Sequence, residues 1–392
     1  MIDYLPLSII LFSFVLGSII SIKFKIPSLI VFLVIGALVG TYGFIPQSDI
    51  LSFMGELGSI LLLFAIGTEF SLDGIAKNGF RKAGIIAAIE IILAMVILYL
   101  LFSEWFGASI AVLLALAFSI TSTGTTVKLL QSLNLSQKFD ISQIIKISII
   151  EDLIAVFIFS VLSSFEIMHN QDLSSLAVSF FSSLILFVIA YYASSRVLNK
   201  MVYRYNISGE DMLMLALALL LMFVFIATYL DLSAAFGAYV AGSIVGGWKS
   251  RYGTIEADIK KFSYVFIAFF FFTIGLSVNL NAINLGLLLI ILPIVVIVKL
   301  LSIFLGGVSA LRDPRKSFFI SASMLSIGEL SLVIISAAVN ASLMPSSFLG
   351  LSSFIVFFSI IISYAMIVYA DRIYGSMSSI SRRMRLFAGP GK

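Results

Sequence analysis

The sequence predicts an all-α polytopic membrane protein: 13 transmembrane helices, arranged as two inverted six-helix repeats plus a linker helix, with two broken crossing helices. Three observations carry this prediction: the composition, the alternation of basic loops, and an internal repeat. The chain has 392 residues, 61% apolar and 11% charged, against about 45–50% apolar and roughly 25% charged in a soluble domain. A mean hydropathy of +1.16 makes lipid the main solvent. That excludes a soluble enzyme, a nucleic-acid binder and a disordered scaffold, so the net charge of +4 is no nucleic-acid signal. The absence of Cys removes disulfide and thiolate chemistry, and a single His, His169, leaves no imidazole cluster for a metal.

A bilayer core takes about 20 apolar residues per helix. Cutting at charged, Pro- and Gly-rich breaks gives spans at 5–22, 28–44, 51–70, 83–103, 108–131, 141–165, 174–196, 210–230, 233–248, 260–280, 283–311, 315–341 and 347–371. These stretches are continuously apolar rather than alternating, which argues against a β-barrel. Every second loop is basic: Lys23 and Lys25; Lys77, Arg81 and Lys82; Lys138; Arg196, Lys200 and Arg204; Lys249, Arg251, Lys260 and Lys261; Arg312, Arg315 and Lys316; and the tail from Arg372 to Lys392. The loops between them carry no Lys or Arg. By the positive-inside rule the N-terminus is outside and the C-terminus cytoplasmic. The first span is expected to be retained, because its basic residues follow it rather than precede it.

Three strings recur in order. VIGALVG at 34–40 returns as VAGSIVG at 240–246, LFAIGTEFSL at 63–72 as FFTIGLSVNL at 271–280, and STGTTVKLL at 122–130 as SIGELSLVI at 326–334. The offsets of 206, 208 and 204 agree closely enough to define two repeats, spans 1–6 and 8–13, with span 7 as linker. An odd number of intervening helices inverts the second repeat, the architecture of secondary transporters whose sites lie where broken helices meet at the midplane.

Chemistry is expected at those breaks. TSTGTT at 121–126 and SIGE at 326–329 interrupt spans 5 and 12, and unwound backbone is tolerated at that depth only where it is buried in protein or lines a cavity. Glu151 and Asp152 lie about 11 residues into span 6, about 16 Å deep at 1.5 Å per residue. Lys299 sits near the middle of span 11. Ionisable groups at such depth are costly and mark functional sites. Neighbouring helix residues point about 100° apart, so one carboxylate can pair with Lys299 while the other faces the pathway; Ser148 shares a face with Asp152. Glu90 and Glu329 read either as proton relays or as protonated groups bonded to a neighbouring helix. Lys128 and Lys146 are near enough to one face to snorkel. Glu56 and Glu69 read as solvated or funnel-lining, Gly36/Gly40 and Gly242/Gly246 as helix packing, and Phe269–Phe272 as lipid contact and core. No phosphate-binding, serine-hydrolase, zinc or dinucleotide motif occurs, so an ion gradient must supply the energy.

These segments resemble the monovalent cation:proton antiporter superfamily, specifically its second branch, the Kef-type and bacterial sodium/proton exchanger membrane domains. LLLFAIGTEF, FSITSTGTTVKLL, IIEDLIAV, FGAYVAGSIVGG, FFFFTIGLSV and SIGELSLVI match that branch's signature segments in the correct order along essentially the whole chain. The resemblance implies an exchanger in which Asp152 alternately binds a cation or protons, Ser122, Thr123 and Ser148 contribute oxygens, Glu151 shares the ion- and proton-binding site, and Lys299 pairs with Glu151. Glu329 joins the candidate residues through its position in the second break. It also implies a homodimer, transported Na⁺ (or K⁺ or Li⁺) and H⁺ with no cofactor, and residence in a prokaryotic cell membrane. The expected division is 1–80 and 206–282 as scaffold, 81–165 and 283–371 as moving core, 166–205 as linker and 372–392 as a basic tail. Glu at 151 departs from the Asp, Asn or Gln usual there; it keeps the charge, which fits electrogenic exchange. Potassium/proton exchange without the Kef-type regulatory domain is the alternative reading, and a cation channel with the breaks as filter a more distant one.

Overall fold

The computed structural model describes residues 4–24, 27–43, 45, 48–69, 80–133, 135, 140–167, 181–183, 185–186, 188–189, 192, 202, 204, 209–230, 232–250, 255–278, 280 and 284–387. Span 7 and His169 lie largely or wholly outside them. The main elements among the described residues are α-helices: α1 (Tyr4–Phe24), α2 (Ser28–Thr41), α3 (Asp49–Glu69), α4 (Phe80–Phe106), α5 (Ala108–Ser119), α6 (Thr123–Ser132), α7 (Ile141–Ile167), α8 (Glu210–Tyr229), α9 (Ala234–Gly246), α10 (Ile255–Leu276), α11 (Leu285–Leu311), α12 (Pro314–Ser323), α13 (Glu329–Asn340) and α14 (Ser347–Phe387). Seven of these are long and apolar enough to cross a membrane, and four more are apolar but shorter. The count of 13 crossings therefore is not established by helix length. The expected spans 5 and 12 each appear as two short helices, α5/α6 and α12/α13, because their hydroxyl- and glycine-bearing centres leave the helical conformation.

Two further boundaries differ from expectation. α10 begins at Ile255 rather than 260, so Lys260 and Lys261 stand on its opening turns instead of in a loop. There Lys260 bonds Glu256 one turn away and Glu69 of α3, both at 2.8 Å. α14 does not stop at 371 but continues to Phe387 through Arg372, Arg382, Arg383 and Arg385; Arg and Met propagate a helix well, and no Pro follows until Pro390.

The described chain divides into two compact units. The first comprises residues 1–78, 152–285 and 332–353. In it α3 packs on α9 and α10, and α2 on α10 and α1. Glycine makes these contacts possible. A Cβ on Gly36 would stand 2.2 Å from the Phe272 carbonyl oxygen, and one on Gly275 2.2 Å from that of Leu33. Gly67 and Gly242 make the equivalent mutual approach between α3 and α9. The expectation that the glycine pairs serve packing holds for Gly36, Gly40 and Gly242, each of which faces a carbonyl oxygen of a neighbouring helix. Phe269–Phe272 are all buried, so the run is core rather than lipid contact; Phe14 meets Phe269 edge-on at 5.1 Å.

The second unit comprises 79–151, 286–331 and 354–392. Its core draws Ile86 and Ala87 from α4, Ile144 and Ile147 from α7, Ile303 from α11 and Phe318 and Phe319 from α12. In both units large apolar side chains also face outward, such as Phe12 and Ile22 on α1 and Leu289 on α11, as lipid-facing helices require.

Because a side chain at Gly242 must displace the α3 backbone, Gly242→Val should lower stability by about 1–3 kcal/mol. A thermal unfolding midpoint in detergent no lower than wild type would remove this crossing from the stabilising contacts.

Candidate functional site

The site is built around two helix breaks, whose four ends leave backbone groups without helical partners. In the second unit, α5 ends at Ser119 and α6 begins at Thr123; α12 ends at Ser323 and α13 begins at Glu329. The intervening segments pair with each other as a single antiparallel bridge between Thr121 and Ile327. The Ser122 amide donates to the Ser326 carbonyl at 2.9 Å and the Gly328 amide to that of Ile120 at 3.0 Å. Gly328 lets the two segments approach closely: a Cβ there would lie 3.0 Å from the Thr121 carbonyl oxygen.

Side chains satisfy the remaining backbone groups. At the end of α5 the Lys299 ammonium donates to the Ser119 carbonyl at 2.7 Å, and the Ser331 hydroxyl donates to that of Ala117. The Thr121 amide donates to Oε2 of Glu151 at 3.0 Å, and the Thr121 hydroxyl to the Met324 carbonyl at 3.2 Å. Thr126 donates to the Ser323 carbonyl at 3.2 Å, which also accepts from Ser363 at 3.3 Å. Ser359 accepts the Ile327 amide at 2.9 Å. The charges obey the helix dipole: a cation stands at the carboxyl end of α5, and carboxylates stand at the amino ends of α6 and α13.

Lys299 does not pair with Glu151, contrary to the sequence-based expectation. Its ammonium, 1% exposed, donates to Oε1 of Glu90 at 2.9 Å, and Glu90 is fully buried. The reason is geometric: Glu151 is committed to the Thr121 amide, while Glu90 on α4 reaches the Lys299 side. The Glu90 and Glu151 carboxyls lie within hydrogen-bonding reach of each other. Oε2 of Glu90 and Oε1 of Glu151 have no donor among the described residues, nor does the buried Ser148 hydroxyl.

The other expected residues are placed as follows. Asp152 follows Glu151 on α7 and is 8% exposed. Ser122 is buried and donates to Oε2 of Glu329 at 2.9 Å, so its hydroxyl is tied to the second break. Thr123 and Gly124 are the more accessible residues of the first break, whereas Thr125 and Thr126 are buried. Lys146 lies 6.0 Å from the Phe80 ring centre. Within the first unit, a cavity of ≈ 700 Å³ is lined by Glu56, Ser59, Thr273, Ser336 and Asn340, which gives Glu56 the lining position expected of it.

Against this geometry the comparisons with known proteins are specific. The family model described as sodium/hydrogen exchanger, transmembrane, matches residues 9–368. The chain belongs to the sodium/hydrogen exchanger family. It is 26% identical over 377 residues to a Na⁺/H⁺ antiporter of Enterococcus hirae, covering 93% of this chain and 96% of the relative. It is 27% identical over 353 residues to the K⁺/H⁺ antiporter subunit KhtU of Bacillus subtilis, covering 84% and 85%. Among solved structures, the sodium proton antiporter MjNhaP1 of Methanocaldococcus jannaschii shares the fold with a TM-score of 0.75 at 16% identity, over 93% of this chain and 96% of that one. The exchanger is thus a multi-pass membrane transporter and not an enzyme, since its relatives are antiporters.

Sequence reasoning missed the interactions of four residues. Glu90 was legible as a buried charge but not as the partner of Lys299. Ser359 and Ser363, one turn apart on α14, gave no motif, although they satisfy the second break. Within the first unit, Tyr239 of α9, buried in an apolar helix, lies within electrostatic reach of Asp152 and Glu69; its segment FGAYVAGSIVGG was legible as a family signature, but the tyrosine itself was not singled out.

The Thr121 amide supplies a test. Glu151→Leu leaves that buried donor unmet, at a cost of about 1–3 kcal/mol, whereas Glu151→Gln retains an acceptor and should cost less. Equal thermal midpoints for the two variants would mean that Glu151 does not hold the break.

Proposed function

We propose that this chain exchanges a monovalent cation, Na⁺ in the first instance, for protons by alternating access, with Asp152 as the carboxylate for which the two compete. The observation that carries the reading is the pair of helix breaks bonded to each other beside the buried Glu151–Asp152 dyad. Competition follows from one charge, since a bound proton neutralises the oxygen that the cation needs. Ser148 and Thr123 would offer further oxygens: Ser148 is one turn from Asp152 on α7, and Thr123 is accessible at the first break. Ser122 and Glu329, bonded to each other, would hold the second break in register rather than bind the ion directly.

The division into a scaffold (1–80, 206–282) and a moving core (81–165, 283–371) that assembles as a homodimer belongs to the same reading. So does an outside N-terminus with a cytoplasmic C-terminus, which rests on the basic loops. Exchange would be electrogenic. Lys299 spends its charge on Glu90, so it does not neutralise the adjacent carboxyls of Glu151 and Asp152. Two protons on one leg against one cation on the other then leave one net charge moved, worth about 2.3 kcal/mol per 100 mV. Potassium/proton exchange is the second reading, favoured by the KhtU likeness, because ligand number and spacing rather than residue types decide among oxygen-seeking cations.

In proteoliposomes, an imposed Na⁺ gradient should drive proton flux that responds to membrane potential, with Li⁺ and K⁺ tested in turn. Flux driven by K⁺ alone would replace the sodium reading, and indifference to voltage would make exchange electroneutral. Asp152→Asn should abolish exchange in a protein that still folds; full turnover by that variant sinks the mechanism. Thr123→Val, which deletes an oxygen at nearly constant shape, should raise the apparent KM several-fold. An unchanged KM for every cation would return Thr123 to packing.

A further inference from the structure

Among the described side chains, Lys299 is the one cation bonded at the helix crossing, and the Glu90 and Glu151 carboxyls lie near it. Its ammonium has taken Glu90 and the Ser119 carbonyl, although the Glu151 carboxyl is close to Glu90 and one Glu151 oxygen has no donor among the described residues. A lysine stem has four rotatable carbons, so its partner is set by which carboxylate best holds it and not by backbone position alone. The choice matters to transport. A lysine bonded to Glu151 would be a tethered positive charge beside Asp152, competing with the transported ion. A lysine held on the α5 terminus satisfies the Ser119 carbonyl and leaves the dyad to mobile cations and protons.

We propose that Glu90 is a positioning residue for exchange: it clamps the Lys299 ammonium onto the end of α5 and thereby keeps it off Glu151. The role rests on the exchange reading above, and it assigns to α4 a part in cation affinity without any contact to the ion. Glu90 acts through Lys299. Removing its charge frees the ammonium to move to the donor-less oxygen of Glu151, where the positive charge repels the incoming cation.

Glu90→Gln should therefore raise the apparent KM for the transported cation roughly tenfold, the usual scale for one charge introduced beside a carboxylate, with kcat changed much less. Glu90→Asp keeps the charge one methylene farther back and should shift KM in the same direction by a smaller factor; it serves where Glu90→Gln does not fold. The double change Glu90→Gln/Lys299→Gln removes clamp and competitor together, and its KM should return towards wild type. A merely structural Glu90 predicts otherwise, namely lowered stability, unchanged KM in the folded fraction and no rescue by the double change. Unchanged KM in both single variants, or a double variant as impaired as Glu90→Gln, overturns the proposal.

A transport-independent arm separates this outcome from failure of the exchange reading. In detergent, Glu151→Gln should lower the unfolding midpoint more in the Glu90→Gln background than in wild type, because Lys299 has moved onto Glu151. The Glu90→Asp background serves the same comparison. Additive effects overturn the clamp, whether or not any cation is exchanged. A wild-type protein that moves no cation while showing this coupling refutes the exchange reading alone.

Discussion

A helix that breaks inside a membrane exposes amides and carbonyls where no water can satisfy them, and that constraint organises this protein. The two breaks answer it partly with each other, through the bridge between Thr121 and Ile327, and partly with side chains sent in from α7, α11 and α14. Each unmet group would cost several kcal/mol in hydrocarbon, so the residues around the breaks are selected first for donors and acceptors in the right places. Hydroxyl side chains crowd there because each can supply both a donor and an acceptor.

Buried charge enters by the same logic. Half-helix ends carry partial charges of opposite sign, and the structure meets them with Lys299 at a carboxyl end and Glu151 at an amino end. What secures the backbone thereby places carboxyl groups deep in the protein, next to Asp152. Among the groups that make the break tolerable is a carboxyl, Glu151, a type of group that can also hold a proton. The cost of burying Lys299 is offset by two short bonds, and removing one partner of such a pair is far more damaging than removing both.

The family likeness and the geometry agree on architecture while differing on one pairing. The order of segments along the chain and the likeness to a solved sodium proton antiporter identify the fold. The lysine of α11, which the resemblance would give to Glu151, is held by Glu90 instead. That exchange of partners follows from a local competition: the Thr121 amide is a fixed donor to Glu151, and α4 supplies an alternative carboxylate within reach of the ammonium.

Composition and periodicity alone determined that this chain lives in lipid as packed helices, because the apolar excess leaves no other solvent for it. They also located the two breaks, since TSTGTT and SIGE place flexible, polar residues where a span should be continuous, and they singled out Glu151, Asp152 and Lys299 by the cost of charge at depth. Glycine spacing was legible as close packing for the same reason: a missing Cβ is a local fact. Partnership was not legible. Whether Lys299 meets Glu90 or Glu151, whether Ser122 faces an ion or Glu329, and which of α14's serines caps the second break depend on residues 30 to 209 positions apart in sequence. A side chain's hydrogen-bond partner is set within a few tenths of an ångström by how those helices pack, and hydropathy along one chain carries no coordinate for that distance.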